Sequence, residues 1–169
     1  YYCPATSTSS TQHQCGGSQY YCPAGSGSRL AVGQGYYSVG GANANTRTDR
    51  QQCERGYFCT GGVRDICPIG RYSDVMGEYR TTCTGPCTRG HFCPLGSVSS
   101  TQESCAKTGL EPTETYCPEG TTSRILVSSG YYSTPEDAAE HERWDEAPCT
   151  IEYFCYKGRR YPKVQWRDV

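Results

Sequence analysis

An internal repeat is the feature that most constrains how this chain can fold. The stretch YCPAGSGSRLAVGQGYYS at Tyr21–Ser38 returns as YCPEGTTSRILVSSGYYS at Tyr116–Ser133, shifted by 95 positions without a gap. Two shorter matches flank it: residues 1–15 match residues 91–105, and residues 53–59 match residues 149–155. Matches of this length predict that both copies fold alike, with their length differences confined to loops.

The repeat divides the chain into two predicted domains, residues 1–90 and residues 91–169. The first holds eight cysteines and the second holds five. The last three residues, Arg-Asp-Val, are similar to Arg64-Asp65-Ile66, which Cys67 follows. We therefore expect the second repeat to be incomplete at its C-terminal end, and the natural chain to continue with another cysteine.

The composition predicts a fold held together by disulfides. The chain has 13 Cys, 15 Tyr and 20 Gly, but only one Met, three Phe and two Trp. So few large apolar side chains cannot offset a backbone ordering entropy of roughly 1 to 2 kcal/mol per residue. Disulfides contribute about 2 to 4 kcal/mol each and persist outside the cytosol, so we expect an extracellular protein. The predicted disulfide residues are Cys3, Cys15, Cys22, Cys53, Cys59, Cys67, Cys83, Cys87, Cys93, Cys105, Cys117, Cys149 and Cys155.

The pairing of these cysteines cannot be deduced from the sequence, because eight cysteines allow 105 connectivities. Pairing of near neighbours gives our working prediction of Cys3 with Cys15 and Cys93 with Cys105.

The predicted fold class is a small, disulfide-rich protein of short β-hairpins and loops, an elongated tandem repeat with little regular secondary structure. Cys-Pro-x-Gly is a tight turn, because proline fixes φ near -65° and glycine allows positive φ. We expect tyrosine rings to cover the disulfides. One short helix is predicted at 135–147, since Thr134 is a good N-cap, Pro135 suits the first helical position and Pro148 would end the helix.

Charge and hydropathy argue against several partners. The net charge is -1, so no overall field favours nucleic acid or an anionic membrane. No apolar run approaches the roughly 20 residues that a membrane span needs. Residues 1–90 carry +3 and residues 91–169 carry -4, which would mildly favour contact between unlike halves.

No catalytic pattern and no cofactor motif is found in the sequence, so we do not expect an enzyme. The three histidines, His13, His91 and His141, lie outside nucleophile motifs. Cys83, Cys87, His91 and Cys93 have the residue types of a zinc site. We favour disulfides there, because the spacing is irregular and the other repeat has Tyr1 in place of His91.

A run of hydroxyl side chains occurs once in each repeat and is a candidate for O-glycosylation, the alternative being a flexible polar loop. The chain has no Asn-x-Ser/Thr sequon for N-glycans. The candidate O-glycan sites are Thr6, Ser7, Thr8, Ser9, Ser10, Thr11, Ser97, Ser99, Ser100 and Thr101.

The tail from Tyr153 to Val169 interleaves basic and aromatic residues. Such a pattern can bind single-stranded nucleic acid, but in an oxidised extracellular chain we favour a surface that meets a neighbouring repeat.

The stretches YCPAGSGSRLAVGQGYYS and CERGYFCTGG resemble the ephrin-receptor-like cysteine-rich repeats of large extracellular proteins. This resemblance covers almost the whole chain and implies disulfide-laddered spacer modules of receptors, adhesins and surface filaments, including the hair-like mastigonemes of protist flagella. It implies no catalytic residue.

The sequence thus leads us to expect a structural subunit of an extracellular filament or surface coat. Its expected partners are further copies of itself in a homopolymeric fibre, with covalent glycans. The alternative is a ligand-binding or adhesive receptor ectodomain, in which the pairs Tyr36-Tyr37 and Tyr131-Tyr132 would stack on sugar rings or partner side chains.

Overall fold

The computed structural model describes residues 1–106 and 109–163. The chain forms two compact units. Unit 1 comprises Tyr1–Pro68 and Ser73–Gly85, and unit 2 comprises Ile69–Tyr72 and the described part of Pro86–Val169. The repeat boundary after residue 90 stays a prediction, and the last six residues of the basic tail lie outside the described residues.

Short two-stranded sheets make up the regular structure of the described residues, with three single 3-10 turns and no α-helix. The predicted class of small, disulfide-rich β-hairpins is confirmed. The first eight strands in chain order are β1 Tyr20–Tyr21, β2 Leu30–Ala31, β3 Tyr36–Val39, β4 Asp49–Gln52, β5 Tyr57–Thr60, β6 Val63–Ile66, β7 Arg71–Tyr72 and β8 Gly85–Pro86. The strands of unit 2 are β9 His91–Phe92, β10 Glu103–Ser104, β11 Thr115–Tyr116, β12 Ile125–Leu126, β13 Tyr131–Thr134, β14 Asp145–Pro148, β15 Tyr153–Tyr156 and β16 Arg159–Pro162.

Each strand pairs with its neighbour in the chain, so the topology is a succession of hairpins. The repeated segments form matching hairpins: β1 and β2 correspond to β11 and β12, β3 and β4 to β13 and β14, and β5 and β6 to β15 and β16. An isolated two-stranded hairpin is marginally stable in water, and these strands have only two to four residues each, so other interactions must stabilise the hairpins.

The helix predicted at 135–147 is wrong. The segment joins β13 to β14 and contains one 3-10 turn, Glu140–Glu142, which matches the turn Ala44–Thr46 of unit 1. Asp145–Pro148 is a strand paired with Tyr131–Thr134. The helix-capping residues are present, but a mostly polar helix has no apolar face to bury, whereas the hairpin satisfies the backbone of β13.

Disulfides form the core. Among the described residues, the buried apolar side chains are ten cysteines and Val32. The bridges are Cys15–Cys22, Cys53–Cys59, Cys67–Cys83, Cys87–Cys93, Cys105–Cys117 and Cys149–Cys155. Six bridges in so short a chain are typical of a protein from an oxidising, extracellular compartment.

The working prediction for the pairing is wrong. Cys15 pairs with Cys22 rather than with Cys3, and Cys93 pairs with Cys87 rather than with Cys105. Cys3 is the one free cysteine, and all 13 cysteines lie in the part of the chain that the structure describes. Cys3 and Cys15 lie near the two ends of a hydroxyl-rich loop, but the bridges connect neighbouring hairpins instead.

A serine and a glycine hold the hairpins of each unit together. The N–H of Ser38 donates to the Gly62 carbonyl at 3.0 Å, and that of Ser133 donates to the Gly158 carbonyl at 2.9 Å. Both glycines have positive φ, and a Cβ there would stand 1.9 Å from the Ser18 carbonyl oxygen in unit 1. Only glycine allows the backbones to approach this closely.

No helix in the described ranges, 1–106 and 109–163, is long and apolar enough to cross a membrane.

Candidate functional site

Unit 1 contains a ladder of arginine and tyrosine side chains on neighbouring hairpins. Arg64 on β6 lies over the rings of Tyr37 and Tyr57, with its guanidinium carbon 5.1 and 4.7 Å from the ring centroids. Cation–π contacts of this kind contribute about 0.5 to 1 kcal/mol each at exposed sites. We call Arg64 with its two tyrosines the clamp of unit 1.

A carboxylate completes this clamp. Glu54 accepts hydrogen bonds from Tyr37 Oη at 2.8 Å and from Arg64 Nη1 at 3.1 Å. Burial alone would raise the pKa of Glu54, but these hydrogen bonds hold it below its ordinary value. Burial and the hydrogen bond to Glu54 raise the pKa of Tyr37. Glu54 therefore forms an ion pair with Arg64 and a hydrogen bond with the Tyr37 phenol, and these contacts fasten β3 to β5 and β6.

Unit 2 repeats the clamp with a different carboxylate. Arg160 lies over Tyr132 and Tyr153, with distances of 4.8 and 5.1 Å to the ring centroids. Its carboxylate is Glu136, which accepts from Arg160 Nε at 3.1 Å. Thr150 occupies the position that matches Glu54, so in unit 2 the carboxylate comes from a different loop, the one that contains Glu136.

The backbone explains this exchange. Four residues, 40–43, join β3 to the 3-10 turn of unit 1, whereas five residues, 135–139, join β13 to the turn of unit 2. A Cβ at Gly40 or Gly41 would lie about 2 Å from Thr48 Oγ1 or the Thr46 carbonyl oxygen. No side chain fits at either glycine, so unit 1 takes its carboxylate from the other side of the clamp.

A second arginine site differs more strongly between the units. Arg50 in unit 1 lies 4.6 Å from the Tyr36 ring centroid and donates to the Val32 carbonyl at 2.8 Å. At the matching position of β14, Glu146 accepts from the N–H and Oγ of Ser128 at 2.7 and 2.8 Å. Both residues fasten the same loop, with opposite charges. This substitution accounts for part of the charge difference between the halves.

The predicted hydroxyl-rich loops have the same ordered hydrogen bonds in both units. Ser7 Oγ donates to the Pro4 carbonyl at 2.8 Å, and Ser97 Oγ donates to the Pro94 carbonyl at 2.7 Å. The amide side chain of Gln12 accepts from the N–H of Thr8, as that of Gln102 accepts from Val98. Both loops are therefore turns held by specific side-chain hydrogen bonds.

Not every hydroxyl in these loops is accessible for O-glycosylation. Ser97 is 4% exposed, and its hydroxyl is bound to the backbone. Ser7 is half-buried and bonded in the same way. The exposed candidates are Thr6, Thr8, Ser9, Ser10, Thr11 and Thr101, with Ser99 and Ser100 half-buried.

The cysteines of the zinc candidate form disulfides. Cys83 is bonded to Cys67, and Cys87 is bonded to Cys93, so these sulfurs are not available as thiolate ligands. His91 lies in strand β9. Within residues 1–106 and 109–163, no cluster of three or more His, Cys, Asp or Glu side chains could hold a metal ion.

The other two histidines lie in separate places. His13 stacks on Tyr2 with ring centroids 5.2 Å apart, and exposed His141 lies 3.8 Å from Glu142. The sequence predicted neither these contacts nor the arginine clamps. The available signal was an arginine that recurs five residues after the second cysteine of the Cys53–Cys59 and Cys149–Cys155 loops.

A cleft occurs at matching positions of the two units. In unit 2 it has a volume of about 310 Å³ and is lined by Glu114, Tyr131, Tyr156 and Lys157, among others. In unit 1 it has about 260 Å³, and Gly61 stands in place of Lys157. The cleft of unit 2 therefore presents two aromatic rings, an ammonium group and a carboxylate to solvent.

No protein-family model matches this chain, and neither does any curated protein or solved structure. The two units can thus be compared only with each other. Together their side chains form bridges, clamps and loop anchors, all of which fix one hairpin against the next.

Proposed function

We propose that the chain is a structural subunit of an extracellular filament or surface coat, in which cysteine-rich repeats act as spacers. The observation that carries the proposal is the recurrence of the same scaffold in both units. Bridges, backbone hydrogen bonds and the arginine clamp recur at matching positions, although the charges around them differ. Selection for one scaffold with changing charge fits a module whose task is mechanical and repetitive.

The resemblance to ephrin-receptor-like repeats supports the same proposal, because such modules are spacers in surface proteins. Self-association into a homopolymeric fibre is part of it. Tandem repeat modules generally contact their neighbours along one axis, which favours extended assemblies. The exposed hydroxyls of the serine and threonine loops would carry the glycans.

Electron microscopy of the native material tests this proposal. Regular fibres, labelled along their length by an antibody against this chain, are the expected result. A discrete particle containing one copy of the chain would contradict it. Intact-mass measurement before and after enzymatic removal of O-glycans tests the glycan assignment, and an unchanged mass would contradict that part alone.

The second candidate function is that of a ligand-binding or adhesive ectodomain. The observation in its favour is the cleft of unit 2, where Tyr156 is 62% exposed beside Lys157. Exposed tyrosines with polar neighbours suit carbohydrate rings, which stack on aromatic faces. A glycan array tests this function. Saturable binding that Tyr156→Ala abolishes would favour it over the structural one. The control is Thr60→Ala at the matching position of unit 1, which should leave the binding unchanged.

A further inference from the structure

The two clamp arginines use different edges of their guanidinium groups. In unit 2, Arg160 binds the Glu136 carboxylate through Nε, at 3.1 Å, and through Nη2. In unit 1, Arg64 donates from Nη1 to Glu54 at 3.1 Å and to the Tyr37 hydroxyl at 3.4 Å. Among the described residues, no acceptor is bonded to Nε or Nη2 of Arg64. The edge that holds a carboxylate in unit 2 is therefore unused in unit 1.

A cleft of about 430 Å³ lies beside Arg64 in unit 1. Its lining residues include two arginines, two valines and a glycine: Arg47, Arg64, Val39, Val63 and Gly40. Gly40 matches Pro135 of unit 2, the residue before Glu136. The loop that sends a carboxylate to the arginine in unit 2 thus corresponds to the loop that forms one wall of this open cleft.

The loop of unit 1 cannot fill the cleft with a carboxylate of its own. Residues 40–43 are Gly-Gly-Ala-Asn and include no acid. A Cβ at Gly40 would stand 2.1 Å from Thr48 Oγ1, so a side chain has no room there. The side chain of Asn43 is already used, because it accepts from the Asn45 N–H at 2.9 Å. A carboxylate for the unused edge of Arg64 has to come from outside unit 1.

A second arginine with unused donors lines the same cleft. Arg47 is half-buried and donates from Nη1 to the Gly40 carbonyl at 3.2 Å, while its Nε has no acceptor in the described part of the chain. Its counterpart in unit 2, Arg143, turns inward, is 7% exposed and donates to the Ser133 carbonyl at 2.7 Å. Two arginines and, among the described residues, no acid line the cleft of unit 1. The cleft is therefore positively charged.

We propose that this cleft binds a glutamate side chain of an acidic protein segment, and that the Nε and Nη2 edge of Arg64 holds its carboxylate as Arg160 holds Glu136. Two parallel N–H donors match the two oxygens of a planar carboxylate. Arg47 supplies a second positive charge. The inference rests on groups within unit 1 and holds whether or not the chain forms a filament.

The lining of the cleft favours a protein segment over a sulfated polysaccharide. Binding of a polyanion uses a row of cations. This cleft has two, and Glu54 already neutralises one of them. Val39 and Val63 add apolar surface, which suits the methylene groups of a glutamate and a neighbouring proline.

The experiment uses the full chain, labelled with nitrogen-15, and the blocked tetrapeptide Thr-Pro-Glu-Ala, patterned on the start of the unit 2 loop. Titration followed by NMR should give saturable shifts of the Arg64 Nε–H signal. The matched peptide Thr-Pro-Gln-Ala has a neutral amide in place of the carboxylate and should bind about tenfold more weakly. Equal binding of the two peptides, or no saturable shift with either, would overturn the proposal.

Substitution of the matching arginines locates the binding. Arg64→Lys keeps the charge beside Glu54 but loses the fork of donors, so the glutamate peptide should bind about fivefold more weakly. Arg160→Lys is the control and should leave peptide binding unchanged, because Glu136 already occupies that arginine. An equal loss in both variants would contradict the assignment to unit 1.

A loop exchange tests the same site with both arginines intact. Replacing residues 40–43 by Pro-Glu-Asp-Ala-Ala, the sequence at 135–139, supplies unit 1 with a carboxylate of its own. This intramolecular competitor should weaken peptide binding at least about tenfold, and glutamine in place of the loop's glutamate should restore it. Undiminished binding after the exchange would overturn the proposal. So would a heparin fragment that shifts the Arg64 Nε–H signal when the glutamate peptide does not.

Discussion

Unit 1 and unit 2 have the same backbone scaffold but different charged side chains. The hairpins, the 3-10 turn and the contact from Ser38 or Ser133 to a glycine carbonyl match position by position. In contrast, the clamp carboxylate comes from Glu54 in one unit and Glu136 in the other. The comparison teaches that bridges and backbone hydrogen bonds define this fold, while the ion pairs adapt to the loops around them.

The units also differ in the burial of two matching bridges, Cys53–Cys59 and Cys149–Cys155. The Cys53–Cys59 bridge is fully buried in unit 1, because Ser73, Gly77 and Glu78 bind the backbone of its loop. The matching bridge of unit 2 is half-buried, and beside it Phe154 is 50% exposed. Within the described residues, unit 2 has no counterpart of the loop that covers this bridge in unit 1.

The largest expected effect is that of a methyl group at the shared glycine. Gly62→Ala and Gly158→Ala should each destabilise the protein by about 3 kcal/mol or more, because the Cβ would overlap a carbonyl oxygen and φ is positive. Denaturant unfolding followed by circular dichroism measures this. Gly61→Ala is the control, with open space around its Cβ, and should cost only about 1 to 2 kcal/mol. Equal costs at Gly61 and Gly62 would show that the close approach is absent.

Loss of the buried carboxylate should have the next largest effect, and only in unit 1. Glu78 is 2% exposed and accepts two hydrogen bonds from the Arg80 side chain at 3.0 Å. Glu78→Gln should cost about 1 to 3 kcal/mol, because a buried charge-assisted hydrogen bond is lost. Hydrogen exchange at the Cys59 amide, which donates to the Glu78 carbonyl, measures the effect locally. The matching amide of Cys155 serves as the internal control and should not change.

The same carboxylate should make unit 1 sensitive to acid. The hydrogen bonds from Arg80 hold the pKa of Glu78 below its ordinary value of 4.5. Its contribution to stability is therefore complete above pH 4.5 and is lost as pH falls through the lowered pKa. Unfolding measured between pH 7 and pH 2 should show a loss of stability that Glu78→Gln reduces, while the lowered pKa of Glu54 accounts for a further part. An acid response unchanged by that substitution would assign the loss to other groups.

Reduction should distinguish the two matching bridges. The half-buried bridge Cys149–Cys155 should react with a phosphine at least about tenfold faster than the buried bridge Cys53–Cys59, since access controls the rate. Brief reduction, alkylation and peptide mapping give both rates from one sample. Simultaneous loss of both bridges would mean that the cover over the bridge in unit 1 has no protective effect.

The smallest expected effect concerns the clamp phenols. Tyr37 Oη donates to Glu54, so Tyr37→Phe should cost about 0.5 to 1.5 kcal/mol while the cation–π contact remains. No hydrogen bond of the matching Tyr132 hydroxyl is seen among the described residues, so Tyr132→Phe should be near neutral. Urea denaturation of the two variants compares them directly, and an equal cost would remove this difference between the clamps.

The repeat and the cysteine count were enough to predict hairpins stapled by disulfides. The predicted pairing was shifted by one cysteine, because it began at Cys3, which is free; from Cys15 onward each bridge joins two consecutive cysteines. A better signal was present in the recurring spacing of Cys53–Cys59, Cys87–Cys93 and Cys149–Cys155, each of which is a bridge.

Two other features exceed what local patterns can predict. The helix-capping residues at Thr134-Pro135 are real signals, but pairing of β13 with β14 outweighs them. The recurring arginine marks the position of the clamp, but Tyr37 lies at least 20 residues from Tyr57 and Arg64, so a local pattern does not reveal which rings the arginine contacts. Its carboxylate changes loop between the copies, and a match between repeats therefore cannot locate it.

The disulfide map of the oxidised protein shows whether both units are built on the same bridges. Digestion without reduction, after alkylation of free thiols, should yield the six bridges from Cys15–Cys22 to Cys149–Cys155 with Cys3 alone alkylated. The matching bridges Cys53–Cys59 and Cys149–Cys155 should both appear, since the two units have the same scaffold. A map with Cys3 bonded to Cys15, or Cys93 bonded to Cys105, would contradict it.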